Sequence, residues 1–196
     1  EEDFSVHIIG LGNAGVSVIE QVGKDVAENL TEGGNLRFSA LAIDVGDGGF
    51  EGVEKLKEIL PKSCSHIETL GLEVPKRDDL FATLRRMREF LKLEYPRYYW
   101  NPNYEPWLPT DTEFPDEGES LPRSLSKAFY AKAYYDDKRP AAEAIKRFTE
   151  SADASTGNTV VVIVFGLGGG TGSGIVVDLA RHVSNVNFGR RAIVFG

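Results

Sequence analysis

The sequence predicts an α/β protein with a three-layer, doubly wound and mostly parallel sheet. Three observations predict it. Short β-branched runs alternate with amphipathic helical patterns, and two of those runs end in glycine clusters that open helices. The run Thr-Val-Val-Val-Ile-Val-Phe at Thr159–Phe165 has none of the alternation of a half-wet strand, as expected for a central parallel strand covered on both faces.

Phe4-Ser5-Val6-His7-Ile8-Ile9 reads as the first strand, and it stops at the tight turn Gly10-Leu11-Gly12-Asn13-Ala14-Gly15. Val16, Ile19, Val22, Val26 and Leu30 then fall at three- and four-residue steps, the buried stripe of a helix that Glu32-Gly33-Gly34-Asn35 breaks. Phe38 to Ile43 is a second strand ending at Asp44. The cluster Gly46-Asp47-Gly48-Gly49 leads from it to a helix from Phe50 to Leu60. His66 to Leu70 is a third short strand, and Asp78 to Leu93 is a helix with Leu80, Leu84, Met87 and Leu91 on one side.

From Glu94 to Pro122 the periodicity dissolves. Six prolines share the stretch with Tyr95, Tyr98, Tyr99, Trp100, Tyr104, Trp107 and Phe114. Disorder goes with few aromatics, so this irregular insertion is expected to pack on the domain or on a partner. Ser124 to Tyr135 and Pro140 to Ser151 are helical, the second with proline in the first turn, where its missing N–H costs nothing. Thr159–Phe165 runs into Gly168–Gly174 and a helix from Ile175 to Val183. Arg191 to Phe195 begins a last strand.

Bulk properties narrow the function. A chain of 196 residues, 41% hydrophobic and 27% charged, suits one core. A net charge of -8 without a basic run argues against nucleic acid. No apolar stretch approaches the roughly 18 residues of a transmembrane segment, and the lone Cys64 can form no internal disulfide, so a cytoplasmic location is expected. His7, His66 and His182 share no spacing and are read as structural or surface groups.

In doubly wound sheets, ligands sit at the carboxyl ends of the strands, where both glycine clusters fall. A glycine turn opening a helix suits phosphate because bare backbone lets N–H groups approach and the helix start carries partial positive charge. Thr171 and Ser173 add hydroxyl donors. Gly10–Gly15 alone fits the G-x-G-x-x-G pattern of dinucleotide sites. Asp44, however, comes later than the acid about 20 residues on that a compact unit of that kind uses. The second cluster holds five glycines among seven residues and lacks the lysine of a Walker loop.

Gly168-Gly169-Gly170-Thr171-Gly172-Ser173-Gly174 resembles the phosphate loop of the tubulin/FtsZ superfamily. Gly12-Asn13 is similar to that superfamily's first nucleotide loop, and Ala42-Ile43-Asp44 to the end of its second strand. The resemblance implies a Rossmann-like GTPase-type domain over residues 1–196, interrupted by the insertion at about 94–122, on a divergent, prokaryotic tubulin-like branch. It implies a guanine nucleotide, GTP or GDP, with Gly12, Asn13, Ala14 and Gly15 on one side. Gly168, Gly169, Gly170, Thr171, Gly172 and Ser173 would hold the phosphates, and Asp44 would lie near Mg²⁺ through water.

The superfamily's γ-phosphate loop corresponds to Gly71–Pro75, which here is not glycine-rich and carries Glu73. The helix that holds the base, and the acids that complete a neighbouring subunit's site, would lie past Gly196, so the second domain is expected to be absent from this chain. No catalytic residue is nominated within it. Nucleotide state would control self-association or binding of a protein partner, with hydrolysis completed by a second subunit. Two other readings stay open. One is an NAD(P)-binding oxidoreductase using Gly10–Gly15 and Asp44, and the other a non-catalytic scaffold that docks through the aromatic insertion.

Overall fold

The computed structural model describes residues 4–30, 37–46, 48–94, 108–109, 111–115, 120–136 and 138–196, the side chains of 4 and 88–94 excepted. In chain order they form β1 (Phe4–Leu11), α1 (Gly12–Ala27), β2 (Phe38–Val45), α2 (Glu51–Ile59), β3 (Ser65–Leu72) and α3 (Arg77–Glu94). These are followed by α4 (Arg123–Tyr135), α5 (Pro140–Asp153), β4 (Asn158–Phe165), α6 (Gly170–Arg181), a π-helix (His182–Phe188) and β5 (Ala192–Phe195). The sheet is wholly parallel in the order β3-β2-β1-β4-β5. The predicted α/β architecture is therefore the one observed.

Side-chain alternation along the strands builds two cores. On one face Ile8, Ala40 and Ala42 pack with Val16, Ile19, Val53 and Leu56 of α1 and α2. On the other, Ile9, Leu11, Leu41, Ile43, Val161 and Ile163 meet Tyr130, Ile145, Phe148, Ile175, Leu179 and Phe188 from α4, α5, α6 and the π-helix. A third cluster joins Leu80, Phe81, Leu84 and Met87 of α3 to Leu125 and Phe129 of α4. Of the aromatic insertion, Leu108, Phe114 and Leu121 are seen to join this cluster, with the Phe114 and Phe129 rings 5.7 Å apart. Tyr95, Tyr98, Tyr99, Trp100, Tyr104 and Trp107 lie outside the described residues.

Three expectations are corrected. β4 is covered well on one face only: Val161 and Ile163 are buried, whereas Val160 and Val162 are half-buried beside Ile193 and Phe195, which are 50% and 56% exposed. The cause is handedness. Right-handed crossovers that step from β1 toward β3 and those that step toward β5 place their helices on opposite faces, so α1 and α2 do not reach over β5. Second, β3 continues through Gly71, paired with Asp44, to Leu72, so the connection to α3 begins only at Glu73. Third, α6 starts at Gly170, inside the glycine cluster, and passes at His182 into a π-helix that no sequence signal announced.

The π-turn is held by contacts of its first residue with α4. His182 is fully buried and stacked on Tyr134 with centroids 3.5 Å apart. Its Nε2 accepts from Arg181 Nη2 at 2.8 Å, so Nδ1 carries the proton toward the Tyr130 hydroxyl, also 2.8 Å away. Asn187 Nδ2 donates to the His182 carbonyl at 3.0 Å, a side chain taking over a backbone acceptor. His7 is equally buried: Ser39 N donates to Nδ1 at 3.1 Å, leaving Nε2–H to donate to Ser155 Oγ at 3.1 Å. Both rings thus serve the interior, in line with a structural role.

Candidate functional site

The order β3-β2-β1-β4-β5 reverses direction between β1 and β4, and such a switch point opens a crevice at the carboxyl ends of the strands. Both glycine clusters follow these two strands, so the start of α1 and the start of α6 lie side by side. A Cβ on Gly12 would sit 3.4 Å from Thr171 Cβ and 3.5 Å from Gly172 N. One on Gly166 would sit 3.4 Å from the Ala14 methyl. Gly12 has φ +66, a left-handed turn that glycine adopts without strain and that swings the chain from β1 directly into α1.

The glycines divide into two kinds. Cβ atoms on Gly10 and Gly15 would overlap the other residue's backbone, so these two let α1 lie directly on β1. A Cβ on Gly170 would overlap the Leu121 carbonyl, one on Gly172 would lie 3.0 Å from Phe165 Cβ, and one on Gly174 would lie 2.5 Å from the Arg123 carbonyl. Packing demands glycine at Gly10, Gly15, Gly170 and Gly174, and Gly172 is tightly enclosed. Gly168 has nothing within 4 Å, and Gly169 only the Gly166 carbonyl at 3.9 Å. Neither has a positive φ, so the fold itself does not ask for glycine at these two exposed positions.

Asp44, at the end of β2, reaches the same crevice. Its Oδ1 accepts from Val45 N at 2.8 Å, and its carboxylate also takes a hydrogen bond from the Thr171 hydroxyl. Burial raises its carboxyl above the usual range in spite of those two bonds. Ser173 donates its hydroxyl back to the Gly169 carbonyl, and Asn13 lies exposed at the start of α1, where its carbonyl accepts from Ser17 Oγ at 2.8 Å. The structure thus brings Gly12, Asn13, Ala14 and Gly15 together with Asp44, Thr171 and the turn before α6.

One group at this crevice was not legible in the sequence. Arg123, the first residue of α4, donates from Nη2 to the Leu167 carbonyl at 2.7 Å, across 44 residues of chain. A groove of about 870 Å³ is lined by Arg77, Asp111, Glu113, Phe114, Pro115, Ser120 and Pro122, residues of mixed charge that do not include the glycine turns.

The donor set is compatible with Mg²⁺ held partly by protein. That ion usually keeps several waters and takes one or two carboxylates together with phosphate oxygens, and Asp44 is a single, partly desolvated carboxylate beside the glycine turn. Among the described residues no three His, Cys, Asp or Glu side chains form a cluster that could cage a metal alone. Among the same residues no helix is long and apolar enough to cross a membrane.

Comparison with known families agrees with this layout. The model of a family described as tubulin like matches residues 7–191, from within β1 to the threshold of β5. Neither the curated proteins nor the solved structures yield a match. Because the family match takes in both glycine turns, Asp44 and every strand but the short last one, the chain belongs to the tubulin-like family.

Proposed function

We propose that this tubulin-like protein binds GTP or GDP in the crevice between β1 and β4, and that the bound nucleotide governs its self-association. One observation carries the phosphate part of the reading: the start of α1 and the Asp44 carboxylate both meet Thr171 in the first turn of α6, and just before it stand Gly168 and Gly169, the two glycines of that cluster that packing does not require. The guanine base, and the link to assembly, rest on family membership.

Within the site, amides of the turn before α6 would cradle the phosphates, and Gly12 to Gly15 would close the opposite side. Asp44 would hold Mg²⁺ through water, and the metal would neutralise phosphate charge. A water attacking the γ-phosphate would be positioned by acids of a second subunit, so GTP turnover per molecule should rise with protein concentration.

Calorimetric titration with GDP and Mg²⁺ tests the reading. Cradled phosphates should give binding well tighter than about 1 mM, and no heat at that concentration would end the proposal. Chromatography of nucleotide released on denaturation identifies the base. Family membership favours guanine over nicotinamide, and NADH failing to compete with GDP is the expected control.

A further inference from the structure

We propose that Arg123 is the cation of this site, a guanidinium delivered by α4 that contacts the phosphate chain of the bound nucleotide. The inference rests on the nucleotide reading above and names the protein side chain that shares with Mg²⁺ the neutralisation of the ligand. Three observations support it.

The first is placement. Arg123 Nη2 donates to the carbonyl of Leu167, the residue immediately before the open Gly168 and Gly169. The guanidinium therefore lies along the turn whose amides would meet phosphate. A guanidinium has five N–H donors in a planar fork suited to phosphate oxygens, and the side chain is exposed.

The second is anchorage. An exposed arginine on a free helix would sample many positions, but the base of this one is fixed. The Leu121 carbonyl lies against Gly170 and the Arg123 carbonyl against Gly174, so the first turn of α4 sits directly on the first turns of α6. Packing glycines in α6 hold the arginine's backbone at the mouth of the site.

The third is electrostatic need. The glycine cluster lacks the lysine of a Walker loop, while Asp44 and the exposed Glu73 add negative charge at the carboxyl ends of β2 and β3. A nucleoside diphosphate entering this setting with Mg²⁺ still gains from a charged donor on the protein. Lys127, one turn further along α4, is engaged by Asp178 at 3.2 Å, whereas the guanidinium of Arg123 already touches the turn.

The rival explanation is that Arg123 only pins the turn through the Leu167 carbonyl. Salt dependence in Arg123→Gln separates the two, because glutamine loses both the charge and, being two bonds shorter, the Leu167 carbonyl, whereas only loss of a charge facing phosphate makes binding less sensitive to salt. Titration with GDP should show at least a ten-fold weaker Kd for Arg123→Gln, a smaller loss for Arg123→Lys, and a shallower salt dependence for the glutamine variant. Wild-type salt dependence in Arg123→Gln, whatever its affinity, would overturn the proposal. A second measurement needs no variant: saturating GDP should protect Arg123 of the wild-type protein from phenylglyoxal, and guanosine should not. Equal modification with and without GDP would equally overturn it. If the wild-type protein binds neither GDP nor GTP, the nucleotide reading fails first and this proposal falls with it.

Discussion

At the scale of single residues, the glycines carry the sharpest prediction, because the structure separates those that pack from those that do not. Gly168→Ala should leave the melting temperature of the ligand-free protein within a degree or two and weaken GDP binding several-fold, since its methyl would enter space that no protein atom fills. Gly15→Ala should do the reverse. Its methyl collides with the Val164 and Gly10 backbone, and overpacking of that kind costs about 1–3 kcal/mol, read as a lowered denaturation midpoint. The sequence displayed both clusters plainly, yet it could not divide them, because the chain crossing Gly170 is Leu121, some fifty residues earlier. Asp44→Asn tests the metal. In EDTA it should bind GDP at least as well as wild type, having lost a like charge, whereas Mg²⁺ should strengthen only the wild-type complex; an equal Mg²⁺ gain in both would remove Asp44 from the metal site. The buried histidines set the acid limit of stability. Burial lowers His7 to about 4 and His182 to about 3, the latter with help from the neighbouring Arg181. Below the unfolded value near 6.5 the unfolded chain binds the extra protons. Stability is therefore complete above about pH 6.5 and falls toward pH 4, by about 1.4 kcal/mol per pH unit for each ring. Urea titrations at pH 7, 6 and 5 should show it, and His7→Gln should flatten the trend.

At the scale of elements, hydrophobic period and punctuation located each of the five strands and six α-helices among the described residues, and errors fell where a distant contact decides the outcome. α6 begins at Gly170 and not at Ile175 because α4 packs on its first turn, and helix propensity assigns glycines to loops. The π-helix depends on His182 meeting tyrosines of α4, about 50 residues away, and no local rule encodes that. The start of α5 offers another test. Arg139 precedes it at φ 51 with no side-chain cap, a conformation that costs an L-residue roughly 1–2 kcal/mol. Arg139→Gly should therefore be neutral or stabilising by up to about 1 kcal/mol, and Arg139→Val destabilising, as read from thermal midpoints.

At the scale of the whole molecule, alternation of strand and helix was enough to predict a doubly wound sheet, but strand order and the switch point emerged only from pairing, which a single sequence does not display. The switch point makes ligand and fold one system. GDP at 100 times its Kd should raise stability by about 2.7 kcal/mol, on the order of 5–10 °C for a domain of this size. An unchanged melting temperature would instead favour a scaffold that has kept the architecture without its ligand. The choice of instrument matters here, because the crossover rule leaves exposed Ile193 and Phe195 on β5 beside the half-buried Val160 and Val162 of β4. Environment-sensitive dyes adhere to such side chains on an intact protein and fluoresce before any melting begins. A bright cold baseline should thus be a property of the native state, dimmed by Ile193→Ser with Phe195→Ser, and calorimetry or circular dichroism should report the transition more faithfully than dye.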